Sequence, residues 1–130
     1  MAQARLEHVN IAVSDTKRTA ALLAAIFGWK TRWEGPSQLG GWTVHIGNTH
    51  DYLAIWSPDK NGGAVQDFQK GAPLNHVGIV VDDLEAVEAK VAAQGLIPFN
   101  HMDYDPGRRF YFFDRDHIEW EVVSYASPEV

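Results

Sequence analysis

LEHVNIAVSD at residues 6–15 and LNHVGIVVDD at residues 74–83 are one ten-residue phrase written twice. Six of the ten positions agree: Leu6/Leu74, His8/His76, Val9/Val77, Ile11/Ile79, Val13/Val81 and Asp15/Asp83. The apolar residues recur with the two-residue period of a β-strand, which runs on into a helix cap. The second copy, with Leu74, Val77, Ile79, Val80 and Val81, reads as a buried strand. His76 is the residue out of place there, and His8 is out of place at the same point of the first copy. Both fold and function have to account for that pair.

The segments C-terminal to the two copies also match in kind. Residues Thr16 to Phe27 and Leu84 to Gln94 have helical patterns, the first placing Ala20, Leu23 and Phe27 on one face and the second Leu84, Val87 and Val91. Gly28 and Gly95 stand where a left-handed residue ends a helix. Asp82 with Glu85 three residues on resembles a capping box at the second helix start. Each half then has three strand-like runs, at about 29–34, 42–47 and 51–56, and at about 97–103, 108–113 and 118–125. The chain therefore reads as α+β, two βαβββ modules at about 4–57 and 74–126, with 58–73 as a Gly- and Asp-bearing linker. Modules of that size bury little surface alone, so one domain spanning 1–130 is expected.

Composition narrows the function. With 11 Lys and Arg against 17 Asp and Glu, the formal charge is −6, which argues against a nucleic-acid surface. No apolar run reaches the roughly 20 residues of a membrane span, and the N-terminus lacks a secretion-signal layout, so a cytoplasmic protein with no membrane partner is expected. Cysteine is absent, so a metal would have to be held by His, Asp or Glu. Five Trp, six Phe and four Tyr offer rings for a core or for a small-molecule pocket.

Alternation assigns faces. If Val9, Ile11 and Val13 meet the helix, His8 points to the opposite face. If Ile118, Trp120 and Val122 do so in the last strand, Glu119 and Glu121 point the other way. His8, His76 and one or both of Glu119 and Glu121 then belong to the helix-free faces. Two imidazoles and a carboxylate suit a divalent first-row metal, Fe, Mn, Ni or Zn, with positions left open for a substrate. Structural histidines copied by duplication are the competing explanation.

These features resemble the vicinal oxygen chelate superfamily, which includes glyoxalase I, extradiol dioxygenases, fosfomycin-resistance enzymes and bleomycin-resistance binding proteins. The resemblance rests on the paired βαβββ layout, on HVNIAV and HVGIVV opening the halves, and on the ending FYFFDRDHIEWEVV. It implies a cupped eight-stranded mixed sheet with helices on the convex face, and a homodimer. It also implies His8, His76 and Glu121 as metal ligands, met within one chain or across two. An offset of 67 puts Ala54 opposite Glu121, so the fourth ligand position of glyoxalase I lacks a carboxylate here. His117 stands where the family usually has glycine.

The remaining expectations concern the substrate. His45, His101 and Tyr104 are candidate acid/base groups. Tyr52 and Trp56, on the face of Ala54, with Arg109 and Tyr125, are candidates for substrate binding. Arg108 and Arg109 could pair an anionic substrate or solvate a strand start, and His50 and His117 look like turn residues. The reading favours a metal-dependent dioxygenase, lyase or isomerase acting on a small molecule that chelates the metal through adjacent oxygens. The alternative is a metal-free protein of the bleomycin-resistance kind that sequesters a small compound.

Overall fold

Each copy of the repeated phrase ends in an aspartate that caps a helix. In the computed structural model, described over residues 4–38, 40–60, 74–104 and 107–125, Asp15 accepts from the Arg18 amide at 3.1 Å and Asp83 from the Ala86 amide at 3.0 Å. The second cap is thus Asp83, not Asp82. The donor must lie three residues on, and Glu85 is drawn away to Arg108.

The chain divides into two compact units, Met1–Lys70 and Gly71–Val130. The first contains β1 (His8–Ala12), α1 (Thr16–Phe27), β2 (Lys30–Pro36), β3 (Trp42–Gly47) and β4 (Tyr52–Ser57); the second contains β5 (Val77–Val80), α2 (Leu84–Ala93), β6 (Phe99–Tyr104), β7 (Gly107–Phe113) and β8 (Glu119–Ser124). Both are βαβββ and both sheets are mixed. Their orders are β1-β4-β3-β2 and β5-β8-β7-β6, with the first pair parallel and the others antiparallel. Of the expected linker, residues 61–73 lie outside the described residues, as does residue 126 of the second module. Among the described residues no helix is long and apolar enough to cross a membrane.

In each unit the helix covers one sheet face. α1 packs on β3 and β4, burying Leu22, Leu23 and Ile26 against Val44, Ile46, Leu53 and Ile55. α2 packs on β7 and β8, over Phe110, Phe112, Trp120 and Val122. The buried stripe of α2 is Leu84, Val87 and Val91, as its pattern indicates. That of α1 differs from the expected Ala20, Leu23 and Phe27: it runs through Thr16, Thr19, Leu22, Leu23 and Ile26. Threonine carries a methyl group into the core, which an apolar-only pattern overlooks. Gly28 at φ 71° and Gly95 at φ 80° take the left-handed conformation expected of them.

The strand around His76 is not buried. Val77 and Ile79 are half-buried, Gly78 is exposed, and Val80 is 64% exposed. β5 is the outermost strand of its sheet, bonded only to β8 within it, and His76 immediately precedes it.

At the end of the second unit, Asp114 organises the turn into β8. Its Oδ1 accepts from the Asp116 and Ile118 amides at 2.8 and 3.0 Å, and its Oδ2 from Trp120 Nε1 at 3.0 Å. His117 sits in this turn at φ 61°, in left-handed space where glycine is the usual tenant. His50 is likewise a turn residue, its amide bonded to Asn48 Oδ1 at 2.7 Å.

Candidate functional site

Cross-strand register puts the open-face residues of each sheet in rows. In the first unit Asn10, Ala54 and His45 are consecutive partners across β1, β4 and β3; in the second, Gly78, Glu121 and Tyr111 are consecutive partners across β5, β8 and β7. Ala54 and Glu121 are therefore equivalent, as the repeat offset indicates. Glu121 faces away from the helix-packed Trp120 and Val122.

In the second unit His76, Glu121 and Arg109 form one cluster. His76 Nε2 lies 3.0 Å from Glu121 Oε1, and Arg109 Nη1 donates to Glu121 Oε2 at 3.0 Å. The Arg109 and Glu121 side chains are only 11% and 13% exposed. Carboxylate and guanidinium are thus held in a largely desolvated, charge-paired arrangement. Tyr111 packs edge-on to His76 at 6.0 Å, and Phe99 and Phe113 continue the aromatic surface. His76 Nδ1 bonds Asn75 Oδ1 at 2.6 Å, which leaves Nε2 on the Glu121 side.

In the first unit a row of rings spans all four strands. His8 stacks on Tyr52 at 5.2 Å, Tyr52 meets His45 at 4.7 Å, and His45 meets Trp33 at 5.0 Å. A β-bulge between Thr31 and Trp33 brings two consecutive residues of β2 to this surface. The Arg32 guanidinium sits 4.5 Å above the Tyr52 ring while Trp33 faces His45. Tyr52 Oη donates to Glu7 Oε1 at 2.7 Å, and the same Glu7 oxygen bonds His8 Nδ1. Hydrogen bonds from Tyr52 and His8 hold the Glu7 carboxyl below its ordinary value, and the bond to Glu7 raises the Tyr52 phenol. Burial pulls the His45 imidazole below its ordinary 6.5, and the neighbouring His8 acts in the same direction. Beside Tyr52 opens a cavity of about 440 Å³ lined by Arg5, Glu7, Arg32 and His50 among others.

The other sequence candidates fall elsewhere. His101 is not on the open face. A bulge between Phe99 and Met102, with Asn100 at φ 53°, turns its ring toward α2, where Nε2 bonds Glu88 at 2.8 Å and the ring stacks on Phe110. Trp56 donates from Nε1 to the Gly40 carbonyl at 2.9 Å and packs on Gly41, apart from the ring row. Tyr125 is 57% exposed and lies against Gly107. Tyr104 ends β6 opposite Gly107, and its side chain lies outside the described residues. The adjacent arginines part ways: Arg108 pairs Glu85 of α2 on the helix side, and Arg109 pairs Glu121. Sequence reasoning missed Glu7, Asn75, Trp33 and Tyr111. The polar residue ahead of each repeated histidine was the available signal for the first two, whereas the bulge behind Trp33 leaves none. Among the described residues no group of three or more His, Asp and Glu side chains is gathered as a metal site.

Comparison with known proteins gives a consistent picture. The family model described as the Glyoxalase/Bleomycin resistance protein/Dioxygenase superfamily matches residues 7–112. Among solved structures, the chain is similar to a glyoxylase/bleomycin resistance protein/dioxygenase domain from Frankia sp. EAN1pec, at 21% identity over 95% of this chain and 98% of that one, with a TM-score of 0.78. It is similar to the fosfomycin resistance protein FosX from Listeria monocytogenes complexed with Mn(II) and sulfate, at 18% identity over 98% of this chain and 95% of that one, TM-score 0.71. FosX from Mesorhizobium loti matches at 19% identity over 95% and 93%, TM-score 0.66. No curated protein matches the sequence. At such identities the structural likeness speaks for the fold.

Proposed function

Because the chain belongs to the Glyoxalase/Bleomycin resistance protein/Dioxygenase superfamily, we propose that it is a metal-dependent enzyme with His8, His76 and Glu121 as ligands. Its substrate is a small molecule that chelates a divalent cation through adjacent oxygens. The observation that carries this reading is the 3.0 Å approach of His76 Nε2 to Glu121 Oε1. The imidazole nitrogen and the carboxylate oxygen already stand side by side on the open face, so the two residues would hold a cation between them with little movement. The donor set also fits by chemistry: imidazole nitrogen and carboxylate oxygen suit Fe, Mn, Ni and Zn, and the Listeria FosX that holds Mn(II) shares the fold.

A divalent ion in such a set supplies Lewis acidity to the substrate's adjacent oxygens. The chain's own residues do the rest. Arg109 holds the second oxygen of Glu121 and fixes the carboxylate's orientation. His45, kept neutral by burial, is the proton acceptor on the open face of the first sheet. The ring row of Tyr52, His45 and Trp33 suits a planar or apolar substrate body. With Ala54 in place of a second carboxylate, the proton shuttling of a glyoxalase-type isomerisation lacks one partner, which favours oxygenase or lyase chemistry. A cytoplasmic homodimer belongs to the same reading.

A second reading, metal-free sequestration of a small aromatic or cationic compound, is favoured by one feature. Glu121 already has two charge partners, His76 and Arg109. Elemental analysis of the purified protein and of His8→Ala, His76→Ala and Glu121→Ala decides. Stoichiometric Fe, Mn, Ni or Zn in the parent, lost in the variants, supports the enzyme. Background metal in the parent removes it and leaves the binder.

A further inference from the structure

The two repeated histidines are supported by their preceding neighbours in the same way but with different charge. Glu7 Oε1 bonds His8 Nδ1, and Asn75 Oδ1 bonds His76 Nδ1 at 2.6 Å. Both contacts join adjacent residues where a strand begins: Glu7 and Asn75 precede β1 and β5, so their side chains curl back onto the next ring instead of alternating away from it. The Glu7 carboxylate can only accept, so the proton of a neutral His8 sits on Nδ1 and the lone pair on Nε2; at His76 the Asn75 amide can turn either way and Nε2 itself faces the Glu121 carboxylate at 3.0 Å, so no such form is fixed there. Glu7 is held further by Tyr52, the register partner of His8, whose hydroxyl donates to it at 2.7 Å. The second repeat has neither the charge nor that hydroxyl, since Asn replaces Glu and the residue equivalent to Tyr52 is Glu119.

From this geometry we propose that Glu7 is a positioning residue for His8. It locks His8 in the Nδ1–H form with Nε2 presented as a donor, and its carboxylate strengthens that donor. An imidazole that gives its Nδ1–H to a carboxylate carries more electron density at Nε2 than one that gives it to an amide, and such outer partners typically change metal affinity about 10–100-fold. The proposal rests on the ligand assignment above for its affinity consequence, and on the structure of the metal-free protein for its tautomer consequence.

The experiment separates the two. Long-range 1H–15N correlation spectra of metal-free, 15N-labelled protein above neutral pH read each histidine's tautomer directly. His8 is expected as Nδ1–H in the parent. Glu7→Ala releases His8 to the Nε2–H form that free imidazole favours, while Asn75→Ala leaves the His8 tautomer unchanged. Glu7→Gln keeps the acceptor oxygen and hence the tautomer but removes the charge. Titration with Mn(II) alone should then show a loss of at least about tenfold in affinity for Glu7→Gln. The Glu7 side chain is 67% exposed, so these variants are expected to fold. Nε2–H at His8 in the parent overturns the proposal, and so does parental Mn(II) affinity in Glu7→Gln. A parent that binds no Mn(II) overturns the donor-strength claim together with the ligand assignment, while the tautomer spectra still decide the positioning role of Glu7.

Discussion

His45 stands directly opposite Ala54 across the antiparallel pair of β3 and β4. An imidazole whose pKa burial has lowered therefore faces a methyl group at the position where the second unit carries Glu121. Replacing Ala54 with Glu restores a carboxylate beside that ring, and a neighbouring opposite charge favours the imidazolium. The pKa of His45, followed by NMR titration, is expected to rise in Ala54→Glu. A value unchanged from the parent would show that side chains 45 and 54 do not share a face.

The Arg109–Glu121 pair is mostly shielded from water on both sides. Removing one partner leaves a largely desolvated charge that keeps only His76 for company. Arg109→Met is expected to cost about 3 kcal/mol in urea denaturation, with much of that recovered in the double variant Arg109→Met/Glu121→Leu, which removes both charges together. A single variant as stable as the parent would mean that water reaches the pair freely.

Asp114 shows an acid-range dependence. Burial raises its carboxyl above the ordinary 3.8, opposed by the bonds from Trp120, Ile118 and Asp116. From 3.8 up to its folded value the folded protein holds more of this proton than the unfolded chain does. The group's contribution to stability therefore falls as pH rises through that window and is constant above it. Asp114→Asn removes this slope, so the stability of the parent relative to the variant should fall as pH rises from the acid end and then level off. Asparagine also sets an NH2 or a lone oxygen against three donors, losing one bond at about 1–3 kcal/mol. Chemical denaturation across the acid range up to neutral pH measures both.

His117 holds a left-handed conformation at φ 61° in the turn that Asp114 organises. Glycine relieves that cost and adds some unfolded-chain entropy. His117→Gly is expected to gain about 0.5–1 kcal/mol, read as a higher thermal midpoint. A loss would mean that the imidazole makes compensating contacts in the turn.

Local patterns carried much of this protein in readable form. The repeat located both βαβββ units, the alternation in 42–47 matches β3 end to end, and the α1 boundaries coincide with the helical stretch Thr16 to Phe27. Such features depend on residues a few positions apart, whose spacing the chain itself sets. The same alternation placed Glu121 on the helix-free face and Trp120 on the other.

What only the tertiary structure decided lies where the period breaks or where partners are distant in sequence. A single extra residue near Asn100 turned His101 from the open face to Glu88, because side-chain direction inverts with each residue of slip. A second bulge set Arg32 beside Tyr52, and cross-strand proximity joined Arg109 to Glu121 and Tyr52 to Glu7. Pairing between strands is a matter of register, and register is set by the packing of whole sheets. The sequence by itself determined that two imidazoles recur at matched points, one after a carboxylate and one after an amide; folding decided what stands across from each of them, the Tyr52 ring for His8 and the Glu121 carboxylate for His76.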